Sequence, residues 1–414
     1  MSKKIVNDPV YGFISIPYGI IFDLIEHPCF QRLRRIKQVS LTHYVYPGAL
    51  HTRFHHALGA FHLMTQAIEV LRSKGVNITD EEATAVSIAI LLHDIGHGPF
   101  SHTLEHTLIE VSHETLSTLF MEKLNEEFGG QLELAISIFE NRYEKKYLHQ
   151  LVSGQLDMDR MDYLNRDSFF TGVYEGVIGY DRIIKMLSVH DGALVVEEKG
   201  IYSIEKFLIA RRLMYWQVYL HKTVLVAEQM LVQILKRAKF LVQQGMNLPA
   251  SAPLTYFLKN HIKAADFQVN RDALLQNFAL LDDIDIISAI KSWMQSEDPL
   301  LAYFANGLIN RRLFKIEMQQ SPFEKDHVAT IREQVLNAGQ FQEEQLEFLV
   351  FQGKESNNAY STFKDEIKIL FKNGTVKPMS LSMDYGMQSK IITKYYLCYP
   401  KNISLAHKVS IRPK

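Results

Sequence analysis

The sequence has only two cysteines, Cys29 and Cys398, in 414 residues. Two cysteines so far apart make no disulfide framework, and they are too few for a thiolate-rich zinc site. Charge of one sign is not in excess either, because 45 basic and 46 acidic residues leave a formal net charge of -1. This balance gives no support for nucleic-acid or membrane binding, although it is compatible with a local basic pocket for a phosphate.

Long apolar runs are also missing. No uninterrupted stretch approaches the ~20 residues that cross a bilayer, and residues 1–12 contain no apolar signal-peptide core. We therefore expect a cytoplasmic protein that does not bind membranes. Hydrophobic residues still make up 47% of the chain, which is enough for a large buried core. The length allows two or three domains, or one large helical core with an appended piece.

Helical spacing of apolar residues dominates the first three quarters of the chain. The run Ile88–Leu92 is continuously apolar, which is typical of a helix buried nearly all round. The predicted helices cover residues 52–71, 81–92, 105–128, 132–141, 147–156, 160–169 and 204–244, with more helices to about 316.

Strand signals are short and scattered. The predicted β-hairpins lie at 4–16, at 194–203 and, around an Asn-Gly turn, at 367–379, and residues 391–399 form a further strand. The fold class is therefore mainly α, a helical bundle with small β-hairpins and a small α+β C-terminal part. We expect one region at residues 1–316 and a second at 317–414, whose role the sequence does not indicate.

Histidine is abundant, with 17 in the chain and many of them between His43 and His113. The densest segment is residues 93–102, which read HDIGHGPFSH and directly follow a buried apolar helix. Gly96 and Pro99 are expected to end that helix and turn the backbone tightly. For the same reason the segment is not the His-Glu-x-x-His motif of zinc proteases, which requires a continuous helix.

The first two residues of this segment, His93 and Asp94, cannot share one stripe of a helix. At a helix end, however, both side chains can converge on ions bound beside the terminus. His97 and His102 then lie in the turn beyond. A cluster of imidazoles and carboxylates in this arrangement indicates a metal site.

His56, the His93-Asp94 doublet and the distant Asp159 resemble the H…HD…D pattern of HD-domain phosphohydrolases. Within that superfamily the chain is similar to the deoxynucleoside triphosphate (dNTP) triphosphohydrolases, both bacterial dGTPase-like proteins and the vertebrate enzyme with SAM and HD domains. The matching segments are FQRLRRIKQ (30–38), YVYPGA (44–49), RFHHALG (53–59), HDIGHGPFSH (93–102), HE (113–114), DMDRMDY (157–163) and NRRLFK (310–315). The resemblance covers roughly residues 5–315.

The resemblance implies an HD-domain helical bundle whose core holds a divalent metal ion. The implied ligands are His56, His93, Asp94 and Asp159, from three separate segments. Imidazoles with hard carboxylates suit Mn, Fe, Zn or Mg. From the residues alone, Asp157 and Asp162 rival Asp159, and only the motif selects Asp159.

Three more histidines, His97, His102 and His113, are implied to transfer protons and to stabilise phosphate charge. The resemblance favours His102 as the acid that protonates the leaving oxygen. His97 and His113 would hold phosphate oxygens or each other. An ordinary surface histidine stays open as the alternative for His113, which precedes Glu114 on an amphipathic helix.

Substrate contacts are implied for two further groups. The phosphate-binding arginines are Arg53, Arg160 and Arg211, and the residues for sugar and base are Gln38, Tyr163, Asp167 and Tyr219. In the family a tyrosine at the position of Tyr163 packs on the deoxyribose and leaves no room for a 2′-hydroxyl. Arg160 stands where the vertebrate enzyme has lysine, and Tyr215 and Leu220 replace a histidine and a glutamine, so base and phosphate selectivity stay open.

The implied reaction hydrolyses a dNTP to deoxynucleoside and tripolyphosphate, with attack of a metal-activated hydroxide on the α-phosphorus. Two alternatives stay open from the sequence. One is an HD phosphohydrolase that acts on another nucleotide or on a phosphate monoester, and the other is a non-catalytic nucleotide-sensing protein. The resemblance also implies a homo-oligomer, a dimer or higher, while the net charge and the lack of a DNA-reading motif indicate no clear nucleic-acid partner.

Overall fold

The computed structural model describes residues 3–105, 107–339, 341–357, 366–382 and 392–401. The α-helices are α1 Ile20–Glu26, α2 Pro28–Gln31, α3 Arg53–Ser73, α4 Asp80–Leu92, α5 His113–Glu127, α6 Glu133–Phe139, α7 Lys146–Val152, α8 Met158–Thr171, α9 Tyr180–Met186, α10 Ile201–Met214, α11 Lys222–Gln243, α12 Ala252–Lys259, α13 Ala264–Ala279, α14 Asp283–Trp293, α15 Pro299–Ile309, α16 Lys325–Asn337 and α17 Leu346–Leu349. Among the described helices, none combines the length and the hydropathy needed to cross a membrane.

The strands form four small sheets. Their bounds are β1 Lys3–Asp8, β2 Gly12–Pro17, β3 Ile109–Glu110, β4 Leu187–His190, β5 Ala193–Glu197, β6 Ile262–Lys263, β7 Lys315–Gln319, β8 Phe351–Asn357, β9 Lys368–Leu370, β10 Val376–Pro378 and β11 Ile392–Tyr399. The sheets have the orders β1-β2, β10-β9-β5-β4, β7-β11-β8 and β3-β6. β9 pairs in parallel with β5, so strands from the last fifty residues join a sheet begun near residue 187.

Helix α3 packs against both α4 and α8. A capping box between Thr79 and Glu82 begins α4, whose apolar residues 88–92 are buried as their unbroken hydrophobicity predicts. α3 approaches α8 closely at Gly59, where a Cβ atom would collide with the side chains of Asp162 and Arg166. Only glycine fits there. Because this position has no side chain, α3 and α8 can approach closely, and their first turns contribute to one site.

The prediction of a mainly helical fold with small β parts is confirmed. The hairpins at 4–16 and 367–379 are confirmed as β1-β2 and β9-β10. Residues 392–399 of the predicted last strand form β11, while residue 391 lies outside the described residues. The division of the chain at residue 316 stays a prediction.

Three local predictions are wrong. The middle hairpin is formed by β4 and β5 around Asp191-Gly192, a turn with positive φ at both residues, so the segment 200–203 begins α10 instead. Residues 105 and 107–112 are not helical, because the Ser112 hydroxyl accepts the Thr115 amide and α5 begins only after it.

The predicted single helix over 204–244 is also wrong. It is interrupted by a π-helical turn at Tyr215–Tyr219, and His221 then caps α11 by accepting the Thr223 amide. Apolar periodicity continues through both helices, which is why the interruption is invisible in the pattern. π-Helical turns inside helices occur frequently at functional sites.

Candidate active site

Three segments meet at the candidate metal centre. The first turn of α3 carries His56, the residues directly after α4 are His93 and Asp94, and the first turn of α8 carries Asp159. His56, His93 and Asp94 are buried, whereas the side chain of Asp159 is 28% exposed. The site is therefore assembled at three helix ends and opens to solvent on the Asp159 side.

The donor atoms lie at mutual distances that fit a single ion. His56 Nε2 is 3.3 Å from His93 Nε2 and 3.2 Å from Asp159 Oδ1. Asp94 Oδ1 is 3.4 Å from His93 Nε2, and Asp94 Oδ2 is 3.6 Å from His56 Nε2. Ligands at about 2.1 Å from an ion stand ~3.0 to 3.4 Å apart at octahedral or tetrahedral angles. His56, His93 and Asp159 form a group that could hold a divalent cation, and Asp94 adjoins it at 3.4 to 3.6 Å.

The outer nitrogens of both imidazoles are already occupied. His93 Nδ1 lies 2.6 Å from the carbonyl of Ile90, and His56 Nδ1 lies 2.7 Å from Asp162 Oδ2. Each Nδ1–H therefore donates outward, and the Nε2 lone pairs face each other. Such outer hydrogen bonds are the usual way in which proteins fix the tautomer of a metal-binding histidine.

The three aspartates that the sequence leaves as rivals differ in their surroundings. Asp157 caps α8 by accepting the Arg160 amide, and Asp162 is fully buried between His56 Nδ1 and Arg166. Asp159 alone among them reaches the facing Nε2 atoms. The geometry thus gives the three carboxylates three different tasks.

The electrostatics of the centre favour a positive charge. Burial alone would lower the pKa of His56, but the carboxylates of Asp159, Asp162 and Asp94 raise it to about 10. Burial would raise the pKa of Asp94, but Arg53 and the neighbouring histidines hold it well below its usual range. Asp94 is therefore ionised, and Arg53 pairs with it directly while donating to Ser101 Oγ at 2.8 Å.

A second cluster is formed by His97, His102 and His113. The rings of His97 and His113 are stacked with centroids 4.0 Å apart, and His102 stands edge-on at 4.8 and 5.0 Å. Stacked imidazoles do not point their lone pairs at one ion, because those lone pairs lie in the parallel ring planes. This geometry favours contacts to phosphate oxygens and proton transfer over metal binding.

Glu105 organises this histidine cluster. Its Oε2 lies 3.0 Å from His102 Nδ1, and its Oε1 lies 2.9 Å from both His113 Nδ1 and the His113 amide. Burial would raise the pKa of Glu105, but the hydrogen bonds from His102 and His113 hold it far below its usual range. Because the ionised carboxylate binds Nδ1 of His102, Nε2 on the other side of the ring points away from Glu105. Burial, with Arg53, lowers the pKa of His97 well below its usual value, so His97 is neutral at pH 7.

The backbone between the two clusters is strained. Phe100 and Ser101 have φ angles of 55° and 53°, in the left-handed region that such residues rarely adopt. The buried carboxylate of Asp283 holds the turn by accepting the amides of Phe100 and Lys37. The strain sets the direction in which the chain carries His102 out toward solvent.

Aromatic residues from α8 and the π-helical turn form one wall of the site. Tyr163 and Tyr219 pack edge to face at 6.1 Å, and Tyr215 adds a third ring at 5.4 Å from Tyr219. Tyr219 donates its hydroxyl to Asp167 Oδ2 at 2.6 Å, and His51 Nε2 lies 2.6 Å from Asp167 Oδ1. The interrupted helix thus brings Tyr219 onto Asp167, one turn along α8 from Tyr163.

Polar groups with unused hydrogen-bonding capacity lie at the same wall. Arg160 Nη1 contacts Asp157, and Arg211 Nη1 donates to Gln155 Oε1 at 3.2 Å. Within the described part of the chain, Gln38 Oε1, Arg160 Nε and Arg211 Nε are buried without a hydrogen-bond partner. Buried polar atoms are seldom left unpaired, so each indicates a place for a ligand group.

The structure thus brings together all fourteen predicted site residues around the two clusters and the aromatic wall. Glu105 and His51 are not among the residues predicted from the sequence, and Asp162 was predicted only as a rival metal ligand. Glu105 stands three residues after His102, and this i, i+3 spacing was a usable signal. His51 carried no such signal, because its partner Asp167 is 116 residues away.

Comparisons with known proteins identify the family to which the chain is similar. The HD domain family matches residues 53–167, and the HD associated region matches residues 178–247. The uncharacterized protein YwfO of Bacillus subtilis is 32% identical over 322 residues, which cover 76% of this chain and 72% of that protein. A deoxynucleoside triphosphate triphosphohydrolase SAMHD1 homolog of Dictyostelium discoideum is 31% identical over 241 residues, 53% of this chain and 46% of that protein.

A solved structure extends the likeness to nearly the whole chain. The crystal structure of a phosphohydrolase from Bacteroides thetaiotaomicron superposes with a TM-score of 0.93 at 52% sequence identity, and the match covers 96% of this chain and 100% of that one. The facing histidines and carboxylates at the ends of α3, α4 and α8 lie within the matched HD domain. This chain belongs to the HD-domain phosphohydrolases.

Proposed function

We propose that the protein hydrolyses a dNTP to deoxynucleoside and tripolyphosphate. The observation that carries the proposal is the position of Asp94 between the two clusters. Its Oδ1 lies 3.4 Å from His93 Nε2 and 3.4 Å from His97 Nε2. A substrate phosphate beside the candidate metal centre would therefore lie within reach of the histidine cluster as well.

The residues divide the reaction between them. His56, His93, Asp94 and Asp159 would hold a divalent ion, which when bound would supply Lewis-acid chemistry that lowers the pKa of a water molecule and so favours the loss of its proton before attack on the α-phosphorus. Attack forms a new bond from the water oxygen to phosphorus and breaks the bond from phosphorus to the 5′-oxygen. His102 delivers the proton that the departing 5′-oxygen requires.

The histidine cluster supports that proton transfer. Glu105 holds His102 by Nδ1, which leaves Nε2 as the nitrogen that gives the proton, and its negative charge stabilises the imidazolium. The neutral His97 has a single N–H, which its contact with Asp94 Oδ1 uses, so its part is to pack against His113 beside the phosphate. Arg53 neutralises charge on the Asp94 side of the phosphate.

The wall of the site supports a deoxynucleotide as substrate. Tyr163 would pack on the sugar and exclude a 2′-hydroxyl, while Gln38 Oε1 and the pair Asp167–Tyr219 offer hydrogen bonds to the sugar and base. Arg160 and Arg211 each have an unpaired buried Nε for the phosphates. The similarity to a dNTP triphosphohydrolase over 241 residues supports the same substrate class.

A product assay tests the proposal. Purified protein is incubated with each dNTP and each rNTP in the presence of Mg, Mn, Fe(II) or Co, and products are resolved by ion-exchange chromatography and phosphorus NMR. We expect deoxynucleoside and intact tripolyphosphate from dNTPs, and little product from rNTPs. The Asp159→Ala variant, assayed in parallel, identifies any contaminating phosphatase.

Other outcomes decide between the alternatives. Release of orthophosphate or pyrophosphate, or turnover of a phosphate monoester instead, would contradict attack at the α-phosphorus and favour another HD phosphohydrolase activity. Tight dNTP binding with metal present but no turnover would favour a nucleotide-sensing role. The resemblance also supports a homo-oligomer, which sedimentation velocity tests: a single species at the mass of one chain, 47.8 kDa, would contradict it.

A further inference from the structure

The carboxyl group of Glu228 lies behind the turn that carries His102. Glu228 belongs to α11, and its side chain hydrogen-bonds to the hydroxyls of Ser40 and Thr103 and to the Leu41 amide. Ser40 Oγ and Thr103 Oγ1 are themselves 2.8 Å apart. Three segments that are distant in sequence therefore meet in one small polar cluster, which we call the Glu228 cluster (Ser40, Thr103, Glu228).

Two members of the Glu228 cluster stand beside a residue of the candidate active site in the sequence. Thr103 directly follows His102, and Ser40 lies two residues after Gln38. Ser40 is buried and has a φ of 46°, so its backbone is held in a conformation that serine adopts rarely. Movement of either hydroxyl would move the adjoining loop and the site residue that the loop carries.

The number of hydrogens that the Glu228 cluster supplies can be compared with the number of hydrogen bonds that it makes. Three oxygen-bearing side chains make three mutual contacts, and each contact needs one hydrogen. The two hydroxyls provide two hydrogens, and the carboxyl group provides the third only when it is protonated. The protonated carboxyl of Glu228 therefore satisfies the whole cluster, whereas the carboxylate leaves two oxygens facing each other without a proton between them.

The surroundings of the carboxyl group favour this protonated form. Burial raises the pKa of Glu228 to about 7, although the hydrogen bonds from Ser40, Thr103 and Leu41 oppose the rise. Glu355 on β8 is the charged group that acts on Glu228 from the packed elements that the structure describes, and its like charge adds to the rise. Burial also raises the pKa of Glu355 itself.

We propose that Glu228 is a positioning residue, which through the hydroxyls of Ser40 and Thr103 fixes the His102 turn relative to the Gln38 loop. The proposal rests on the proposed function in one respect, the role of His102 as the acid. Glu228 does not touch the reacting atoms. Its effect is on where His102 stands, and a displacement of about 1 Å at a catalytic group can cost ~100-fold in rate.

Two substitutions separate a positioning role from a general contribution to folding. Glu228→Gln keeps a donor and an acceptor and reproduces the protonated acid, so we expect kcat near that of the wild type at pH 6. Glu228→Ala empties the position, and we expect kcat to fall roughly 10- to 100-fold, more than KM rises. Lys236→Gln, at an exposed position of α11, is the control and should change neither constant.

The pH profile adds a readout that loss of stability would not produce. The wild-type kcat should decline more steeply than that of Glu228→Gln as pH rises through about 7, where Glu228 ionises, while any decline caused by the acid His102 is common to both. Unchanged kcat and an unchanged profile in Glu228→Ala would overturn the proposal. An equal loss in Glu228→Gln and Glu228→Ala would also overturn it.

A measurement without substrate distinguishes this proposal from the proposed function. In protein labelled with carbon-13 at histidine Cε1, the His102 signal is assigned by its loss in His102→Asn. We expect Glu228→Ala and Thr103→Val to shift that signal and Thr103→Ser to restore it, whether or not dNTPs are hydrolysed. A His102 signal that is the same in all these folded variants would overturn the positioning role. Turnover of another substrate with the shift present would overturn only the proposed function.

Discussion

His56 and Asp162 are joined by a 2.7 Å hydrogen bond between Nδ1 and Oδ2, both of them fully buried. The same carboxylate accepts a hydrogen bond from Nε of Arg166 at 2.9 Å, so the negative charge of Asp162 is balanced by Arg166 and does not add to the charge of the metal centre. The bond fixes the imidazole with Nε2 toward His93 and Asp159. The orientation of one predicted ligand is thus set by an aspartate that the sequence offered as a competing ligand.

We expect Asp162→Asn to weaken the binding of a divalent ion ~10- to 100-fold, the usual effect of removing an outer-shell partner. The amide can no longer accept from His56 and Arg166 as a carboxylate does. Competition with a fluorescent chelator measures the dissociation constant. Asp298→Asn, which breaks the buried pair with Arg237 elsewhere in the protein, is the matched control and should leave affinity unchanged. Equal affinities in the two variants would contradict the assigned role of Asp162.

Asp94→Ala and His102→Ala should separate metal binding from turnover. Asp94→Ala removes one ligand and the partner of Arg53, which leaves a buried guanidinium beside the site, so we expect loss of bound metal. His102→Ala should keep its metal and lose turnover, because its imidazole contacts Glu105 and not the facing Nε2 atoms. Elemental analysis and the product assay are made on the same samples. Full metal occupancy in Asp94→Ala, or a near-normal rate in His102→Ala, would count against the assignment.

Glu105→Gln should lower kcat by roughly 10- to 100-fold with metal content unchanged. A neutral amide no longer stabilises the imidazolium of His102, so the variant should lose part of the ~10²- to 10⁴-fold that general acid catalysis contributes to a rate. The control is Glu110→Gln, since Glu110 pairs with His261 in an exposed salt bridge. A kcat equal to that of the control variant would exclude Glu105 from the proton transfer.

Local signals in the sequence predicted that the His93-Asp94 doublet lies at a helix end, but they did not give the full set of candidate metal ligands. His93-Asp94 follows a helix whose unbroken apolar run ends where glycines begin, and the structure ends α4 at Leu92. Of the three candidate aspartates, only the family motif selected Asp159. Periodicity could not separate Asp159 from Asp162, because the two are three residues apart on one helix. Their roles differ because they contact different nitrogens of His56 on α3.

The wall of the substrate pocket depends on contacts that no local pattern encodes. The residues of Tyr215–Tyr219 continue the helical spacing of their neighbours, yet a π-helical turn replaces the α-helix there. The bond from Tyr219 to Asp167 joins residues 52 positions apart, and Lys394 lies over the ring of Trp216 from the far end of the chain. Tertiary contacts of this kind override helical propensity and are visible only in the folded protein.

The stability of the protein should depend on pH through Glu228. Its pKa is about 7 in the folded state, above the ~4.3 of an unfolded glutamate. The unfolded chain therefore releases this proton first, and stability is lost as pH rises from about 4.3 to about 7. Glu228→Gln lacks the titration. We expect its Tm to exceed that of the wild type by an amount that grows over this interval and is constant above it. Scanning calorimetry at pH 4.5, 6 and 8 measures the difference, and a difference independent of pH would contradict the assignment.

The C-terminal sheet contacts the substrate wall through Lys394. Lys394 of β11 lies 3.9 Å from the ring centroid of Trp216, within the π-helical turn that carries Tyr219. Because a cation–π contact at a partly exposed site contributes ~0.5 to 1 kcal/mol, we expect Lys394→Met to raise KM about 2- to 5-fold. Lys394→Arg should retain the wild-type KM.

The matched control for this contact is Lys377→Met, which removes a similar contact with Phe371 at 5.3 Å, within the β9-β10 hairpin. Its KM should equal that of the wild type, since neither residue touches the π-helical turn. If both methionine variants raise KM equally, the C-terminal strands act on general stability and not on the pocket. If only Lys394→Met does so and arginine restores it, the C-terminal sheet holds the substrate wall in place.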